Sequence, residues 1–196
     1  MKLLVSTSLP TRWGPTLISA FGEKETEVCP YLVLQFGEID LSHPVLVRVH
    51  SECFTGDVFG SRKCECGDQL DLSCRQLAEE GGILIYARQE GRGIGLVNKL
   101  KAYRLQDQGM DTAQANTELG FPVEMRTYEK VAFILDHFGI KDIRLMTNNP
   151  EKIKALKDSG FNIVERIPVQ AESCTFNVEY LKTKRDVMGH LLDLEE

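Results

Sequence analysis

Three cysteines with metal-ligand spacing lie in one segment of the chain: Cys53, Cys64 and Cys66, in a C-x10-C-x-C arrangement. Two thiolates one residue apart on a loop can face the same cation, and the third can fold back to join them. Structural zinc sites usually close with four protein ligands, whereas catalytic sites use three and leave a position for water. Because no fourth cysteine lies nearby, the spacing slightly favours a catalytic zinc. Two other interpretations remain. One is a structural zinc completed by His50, Cys74 or a distant residue, and the other is three unrelated core cysteines.

A glycine-rich turn, Arg88–Gly95, reads RQEGRGIG and lies between a predicted buried strand, Gly82–Ala87, and a helix. Glycines allow close backbone approach, and a helix N-terminus attracts anions. Arg92 could add a forked pair of donors for phosphate. The turn is neither a Walker A loop nor a full dinucleotide fingerprint, so a plain tight turn is the simpler interpretation of its spacing alone.

A second strand-to-helix turn, Thr147–Pro150, is followed by Lys152 in the first helical turn. The Asn149-Pro150 pair is typical of a helix start, with Asn at the N-cap and Pro at N1. A lysine near a helix N-terminus is unfavourable for the helix dipole. An anionic partner for Lys152 and a solvated lysine are therefore equally good interpretations.

Two other polar segments carry groups that could take part in chemistry. Glu124 and Arg126, two residues apart, could serve proton transfer and phosphate chemistry, although Glu124 could also cap the following helix. The segment Arg48–Cys53 runs from a strand into the first cysteine of the cluster. His50 within it is predicted equally well as a core or capping residue.

The composition restricts the class of protein. The chain has 196 residues, 42% of them hydrophobic, and a formal net charge of −6. That charge argues against a general nucleic-acid coat, which normally shows a basic face. No apolar run approaches the roughly 20 residues that span a bilayer, and the N-terminal segment is too polar for a secretory signal. We therefore expect a cytoplasmic protein without nucleic-acid or membrane partners, in which a cysteine cluster more often binds metal than forms disulfides.

The elements that must position these segments form an α+β pattern. Short apolar runs such as Tyr31–Phe36 and Val45–Val49 make the first 50 residues strand-like. After a predicted loop, Cys53–Gly67, strands and amphipathic helices alternate up to a terminal helix through Leu181 and Leu191. The chain has no internal repeat, low-complexity tract or Pro/Gly-rich linker. The pattern predicts a β-rich N-terminal third followed by an α/β portion, in a single catalytic domain over residues 1–196.

Taken in order along nearly the whole chain, these segments resemble GTP cyclohydrolase II, the first enzyme of riboflavin synthesis. The resemblance is carried by RVHSEC (Arg48–Cys53), TGD (Thr55–Asp57), CECG (Cys64–Gly67), RQEGRGIGL (Arg88–Leu96), NKLKAYRLQDQG (Asn98–Gly109), DT (Asp111-Thr112), LGF (Leu119–Phe121), TNNP (Thr147–Pro150) and MGH (Met188–His190). Agreement in so many ordered segments is specific, and it makes the catalytic zinc the favoured interpretation of the cysteines.

The resemblance implies a GTP cyclohydrolase II-like fold and a homodimer, with one zinc ion per subunit on Cys53, Cys64 and Cys66 and magnesium bound with the triphosphate. The implied reaction hydrolyses GTP at C8 of guanine. It releases formate and diphosphate and gives 2,5-diamino-6-(5-phosphoribosylamino)pyrimidin-4(3H)-one. The positions that match GTP-holding residues of the family are Arg48, Val49, His50, Ser51, Glu52, Gln69, Glu90, Gly91, Arg92, Thr112, Thr147 and Lys152.

Three further positions match residues with catalytic roles in the family. Arg126 matches an arginine proposed to attack the α-phosphate and displace diphosphate. Because a guanidinium is cationic at all ordinary pH, stabilisation of transition-state charge is an equal interpretation. Tyr103 matches a tyrosine linked to ring opening and formate release. Glu124 stands where the family usually has an aspartate as proton acceptor. Its carboxylate is one methylene longer, and a displacement of about 1 Å at a reacting centre can cost on the order of 100-fold in rate.

Two alternative functions stay open at this point. A related GTP cyclohydrolase would stop at the formylamino-pyrimidine, and the presence of Tyr103 argues against it. A non-catalytic paralogue would bind zinc and nucleotide without turnover. The three cysteines, Arg126 and a carboxylate at position 124 argue against that second alternative.

Overall fold

The backbone is organised around one mixed β-sheet. The computed structural model describes residues 1–122, 124–171, 177–186 and 189–192. Within these residues the strands are β1 (Lys2–Thr11), β2 (Gly14–Gly22), β3 (Tyr31–Phe36), β4 (Val45–Ser51), β5 (Gly82–Ala87), β6 (Asp142–Met146) and β7 (Asn162–Ile167). The seven strands form one sheet in the order β1-β2-β3-β5-β4-β6-β7.

The sheet has an antiparallel half and a parallel half. Strands β1, β2, β3 and β5 pair antiparallel, whereas β5, β4, β6 and β7 pair parallel. Because four of the strands lie in the first 51 residues and the later strands alternate with helices, the predicted β-rich first third and α/β remainder are confirmed.

Helices lie between and after the strands of the parallel half of the sheet. They are α1 (Phe54–Asp57), α2 (Cys66–Glu80), α3 (Leu96–Gln106), α4 (Thr112–Glu118), α5 (Glu129–His137), α6 (Pro150–Asp158) and α7 (Val178–Asp186), with a 3-10 turn at Glu90–Gly93. Helix α6 begins as predicted, because the Asn149 side chain accepts a hydrogen bond from the Glu151 amide and Pro150 occupies N1. In the described part of the chain no helix has the length and apolar content to cross a bilayer.

The structure differs from the predicted elements in two places. The predicted loop Cys53–Gly67 contains α1 and the first two residues of α2, which begins at Cys66. Such short turns carry too little apolar periodicity to be read from the sequence. The predicted terminal helix ends at Asp186, and Leu191 lies beyond it. Met188 and Cys174 lie outside the described residues.

The core lies on both faces of the sheet, because alternate residues of a strand point to opposite sides. On one face Val47 and Ile83 pack with Ile134 of α5 and Leu156 of α6. On the other face the partners are Leu46, Leu84 and the α2 residues Cys74 and Leu77. Cys74 is fully buried among apolar side chains, as its place on the apolar face of a helix predicts.

The parallel half of the sheet determines where the polar segments meet. The carboxyl ends of β4, β5 and β6 lead directly into Cys53, the glycine-rich turn and Thr147–Pro150. In a parallel sheet these ends lie along the same edge, and open α/β sheets bind ligands in the crevice outside them. Segments about 100 residues apart in sequence are therefore neighbours in space.

Gly82 is required where β5 starts beside β4. Its φ angle is +131°, and a Cβ there would lie 2.2 Å from the carbonyl oxygen of Leu46. We expect Gly82→Ala to lower the free energy of unfolding by about 3 kcal/mol or more, since strain and overpacking add. Gly109→Ala is the control, because its φ is +99° but no atom lies within 4 Å of the added methyl. It should cost about 1 kcal/mol. Urea denaturation measures the free energy of unfolding of both variants. An equal loss in Gly82→Ala and Gly109→Ala would contradict this account.

Candidate active site

An open cavity of about 830 Å³ lies at the carboxyl edge of the parallel strands. It gathers most of the residues that the sequence analysis singled out. These are Arg48, His50, Ser51, Glu52, Cys53, Cys64, Cys66, Gln69, Glu90, Gly91, Arg92, Tyr103, Arg126, Thr147 and Lys152.

Three of the predicted site residues lie elsewhere or reach the cavity indirectly. The Val49 side chain packs in the core, and only its carbonyl faces the site, where it accepts a hydrogen bond from Lys152 Nζ at 2.5 Å. Thr112 lines an adjoining cavity of about 410 Å³, which Arg92 and Tyr103 also line. Glu124 reaches the site through its ion pair with Arg126.

The three predicted ligand cysteines converge. Their Sγ atoms all lie within 4.8 Å of one another, and the Sγ atoms of Cys53 and Cys64 are 3.6 Å apart. With Zn–S bonds of about 2.3 Å, a tetrahedral centre needs sulfurs about 3.8 Å apart. The turn of α1 brings Cys53 back towards Cys66 at the start of α2. The buried cluster could therefore hold a metal ion.

Two glycines allow the cysteine segments to approach so closely. A Cβ on Gly56 would lie 3.0 Å from Cys64 Sγ and 3.2 Å from Cys53 Sγ. A Cβ on Gly67 would lie 2.6 Å from the Gly56 carbonyl oxygen. The backbone is thus packed directly behind the sulfurs, and the donor set fits a thiophilic metal such as zinc.

The contacts within the sulfur cluster shift the pKa values of its thiols in opposite directions. Hydrogen bonds from Cys64 and Cys66 lower the pKa of the Cys53 thiol, and the nearby ammonium of Lys99 acts in the same direction. The hydrogen bond with Cys53 and burial raise the pKa of Cys64 to about 11. A buried anionic sulfur is costly unless a cation compensates it.

Lys99 supplies a cation beside that sulfur. Its Nζ lies 3.0 Å from Cys53 Sγ, 3.0 Å from Thr55 Oγ1 and 2.8 Å from Glu90 Oε1. Burial lowers the pKa of Lys99, but Cys53 and Glu90 outweigh it and raise the pKa overall. Sequence reasoning included Lys99 in a matching segment without a role. The available signal was its position four residues before Tyr103 on α3, which places both on one helical face.

A second buried network holds the first cysteine. The Asp57 carboxylate accepts hydrogen bonds from the Cys53 amide at 2.9 Å and from Tyr86 OH at 2.7 Å. It also lies 3.0 Å from His50 Nε2. Burial lowers the pKa of His50, although the Asp57 carboxylate acts in the opposite direction. The lowered pKa favours a neutral imidazole. Asp57 was not identified as a site residue from sequence, although its segment matched.

Cations line the side of the cavity formed by β4 and α6. Arg48 and Lys152 are both buried at 5% exposure, and among the described residues no acceptor meets Arg48 Nε. Burial, followed by repulsion from Arg48 and Arg126, lowers the pKa of Lys152 well below its ordinary value. An anion in the cavity would offset this repulsion.

The Glu124–Arg126 pair has bidentate geometry. Arg126 Nε donates to Glu124 Oε1 at 2.8 Å, and Nη2 contacts Oε2. Arg126 Nη1 also lies 3.5 Å from Ser51 Oγ at the end of β4. The longer carboxylate at position 124 therefore reaches the guanidinium with both oxygens.

The C-terminal segment also contributes to the cavity. Lys184 Nζ lies 2.9 Å from Oε1 of Glu65, the residue between the second and third cysteines, and both side chains are buried. His190 lines the cavity, and the Leu191 amide donates to the Asn148 carbonyl at 2.9 Å. Sequence reasoning missed Glu65 and Lys184, because no local pattern links positions 119 residues apart.

A cavity lined by a group of three thiols and by several cations defines an enzyme site suited to a metal ion and an anionic substrate. A protein-family model described as GTP cyclohydrolase II matches residues 2–168. The GTP cyclohydrolase-2 of Buchnera aphidicola subsp. Acyrthosiphon pisum (strain APS) is 51% identical over 98% of this chain and 99% of its own. That of Neisseria meningitidis serogroup B (strain ATCC BAA-335 / MC58) is 49% identical over 96% and 95%. The chain therefore belongs to the GTP cyclohydrolase II family and is a hydrolase of this type.

One solved structure gives a weaker likeness. RibBX, a two domain 3,4-dihydroxy-2-butanone 4-phosphate synthase from A. baumannii, aligns with a TM-score of 0.47 and 19% identity. The alignment covers 87% of this chain but spans only 40% of that one. A likeness of this size has no bearing on function.

The Gly56 packing predicts that one added methyl group will disturb the sulfur cluster. We expect Gly56→Ala to weaken zinc binding at least about ten-fold while the protein stays folded, because the methyl would press on two sulfurs. Gly60→Ala is the control, since no atom lies within 4 Å of its added methyl. Competition with a chromophoric chelator measures both affinities, and circular dichroism checks the fold. Equal zinc affinities for the two variants would refute this prediction.

Proposed function

We propose that this protein hydrolyses GTP at C8 of guanine, releasing formate and diphosphate and forming the diaminopyrimidine ribosyl phosphate of riboflavin biosynthesis. The observation that carries the proposal is the juxtaposition of a buried three-thiol group and buried cations in one cavity. The names of the relatives support GTP as the substrate.

The three cysteines are proposed to hold one zinc ion. Zinc bound there would supply Lewis-acid activation of water for the hydrolytic steps. Asp57 would fix the Cys53 backbone, since it accepts the Cys53 amide at 2.9 Å. The donor set of three sulfurs leaves a coordination position for a water or substrate atom, as in other catalytic zinc sites.

The triphosphate is proposed to lie along the cationic side of the cavity. Arg92 and Lys152 would meet phosphate oxygens, and magnesium would share their charge, as is general for nucleoside triphosphates. Burial makes Lys152 effective, because electrostatic interactions are stronger away from water. It also makes this lysine costly in the absence of an anion.

The guanine base is proposed to lie between the glycine-rich turn and the end of β4. Glu90 accepts hydrogen bonds from Phe54 N, Gly91 N and Lys99 Nζ. An ionised carboxylate has about four acceptor positions, which leaves one for a guanine N–H. Ser51 and Gln69 line the same cavity and would complete the reading of the base edge.

Arg126, Glu124 and Tyr103 are proposed to act on bonds. The bidentate pair would allow Glu124 to accept a proton from Arg126 if the arginine attacks the α-phosphate. It would equally fix the guanidinium for stabilisation of developing phosphate charge. Burial raises the pKa of Tyr103 to about 12, so its phenol stays protonated near neutral pH and would act as a proton donor. The presence of Tyr103 in the cavity, at the position that the family resemblance links to formate release, supports complete ring opening over an enzyme that stops at the formylamino product.

The homodimer, the cytoplasmic location and the magnesium ion are proposals of the same kind, drawn from the family resemblance. A non-catalytic paralogue that binds zinc and nucleotide is the second candidate function. The retention of the Glu124–Arg126 pair beside the cavity disfavours it, because a binding module needs no such pair.

The decisive experiment assays formate and diphosphate separately from GTP and magnesium, with and without a zinc chelator. We expect Cys64→Ser to abolish formate release and keep the diphosphate step, and Arg126→Ala to remove diphosphate release, because different groups serve the two steps. Each variant is thus the control for the other. Stoichiometric zinc and GTP binding by the wild-type protein without either product would establish the non-catalytic alternative. A fully active Cys64→Ser variant would refute the role of the cysteines.

The depressed pKa of Lys152 predicts a conflict between stability and binding. The folded protein holds this proton less firmly than the unfolded chain does, so the charged lysine costs stability at any pH below its unfolded pKa. We expect Lys152→Met to leave the free energy of unfolding unchanged or raise it by about 1 kcal/mol. Binding of a non-hydrolysable GTP analogue should weaken at least ten-fold, about 1.4 kcal/mol.

Lys154→Met provides the matched control, since Lys154 is exposed on the same helix. It should change neither quantity. Calorimetry gives the affinities and urea denaturation gives the stabilities. Unaltered analogue affinity in Lys152→Met would count against a phosphate-binding role for Lys152.

A further inference from the structure

Lys99 joins two parts of the cavity through its side chain, beside a backbone link in which Phe54 N donates to Glu90 Oε2 at 2.6 Å. Its Nζ touches Cys53 Sγ on the cysteine segment and Glu90 Oε1 on the glycine-rich turn. Its third partner is Thr55 Oγ1, at 3.0 Å. The Lys99 side chain is 11% exposed and that of Glu90 is 8% exposed, so solvent screens this pair only weakly.

The contacts of Lys99 account for its whole hydrogen-bonding capacity. An ammonium group has three N–H donors and no acceptor. The three donors have three protein partners at 2.8 to 3.0 Å. Lys99 is therefore committed to the protein.

The charge of the cysteine cluster gives Lys99 a second effect. Three thiolates on a divalent ion leave a net charge of −1, which is unfavourable in a buried position. An ammonium that donates to one of the sulfurs offsets this charge and reduces the electron density that the sulfur can give to a metal. Groups that contact ligands in this way tune a metal site and orient its ligands.

We propose that Lys99 is a positioning residue that fixes Cys53 and Glu90 relative to each other and withdraws charge from the Cys53 sulfur. This inference rests on the proposed zinc site. Its consequence concerns the geometry of the reaction. Because Cys53 would hold the metal and Glu90 would hold the base, Lys99 and the Phe54 amide together fix the position of the base relative to the metal. Lys152, the proposed phosphate contact on α6, is held instead by the Val49 carbonyl.

The test uses Lys99→Met, which keeps the length of the side chain and removes the charge. Lys99→Arg retains the charge, and Lys101→Met removes an exposed lysine from the same helix as the matched control. Each protein is loaded with Co²⁺ in place of zinc, and the sulfur-to-cobalt charge-transfer band is recorded. The zinc-loaded proteins are assayed for formate and diphosphate separately.

In Lys99→Met the charge-transfer band should move to lower energy, because an uncompensated thiolate gives up an electron more easily. Formate release should fall in kcat by about 100-fold, the scale expected for a displacement of about 1 Å. Diphosphate release should be retained. Lys99→Arg should restore part of the band position, and Lys101→Met should behave as wild type in every measurement.

A Lys99→Met protein with the wild-type band and wild-type formate release would overturn the role of Lys99 and leave the zinc proposal standing. A wild-type protein that binds neither Co²⁺ nor Zn²⁺ would overturn both. Loss of Lys99 leaves the Glu90 carboxylate without its cation and could prevent folding. The double variant Glu90→Gln/Lys99→Met removes both charges and decides that case, because the band should still lie at lower energy than in Glu90→Gln alone.

Discussion

The close approach of three sulfurs in a buried pocket is the constraint on which the rest of the site depends. Three groups that can each carry negative charge lie within 4.8 Å of one another, with Cys53 and Cys64 buried and Cys66 partly buried. Coulomb repulsion and desolvation both oppose such an arrangement. Gly56 leaves room for the sulfurs to approach, and the ammonium of Lys99 offsets part of the charge. A bound dication would complete the compensation.

The cavity brings together groups of opposite charge. Its lining includes the three sulfurs and the Glu90 carboxylate, and also the cations of Arg48, Lys152 and Arg126. A nucleoside triphosphate has an uncharged base at one end and several negative charges at the other. Burial, followed by repulsion from Arg48 and Arg126, lowers the pKa of Lys152, so the charged lysine carries a cost in the free protein that a bound anion would reduce. Such trade-offs between stability and function are common at active sites.

The mixed sheet makes it possible for these groups to meet in one cavity. Parallel pairing of β4 with β5 and β6 brings three loops to one edge, and Arg48 Nη1 donates to the Met146 carbonyl at 3.0 Å across that edge. The alternation of a strand then sorts the side chains of β4. Arg48 and His50 face the site, whereas Val47 and Val49 face the α5 and α6 side of the core. The antiparallel half, β1 to β3, extends the sheet away from the site.

The sequence by itself determined the fold class, the cysteine trio, the strand-to-helix turns and the start of α6, because each depends on neighbours within a few residues. It also indicated most of the cavity-lining residues through the family resemblance. It did not show that Val49 meets the site through its carbonyl rather than its side chain, or that Thr112 lines the adjoining cavity rather than the main one. Only the tertiary structure decided that Lys99 touches Cys53, that Asp57 holds the Cys53 amide, and that Lys184 reaches Glu65. These contacts join elements far apart in the chain, and they depend on strand order and helix packing, which no local pattern encodes.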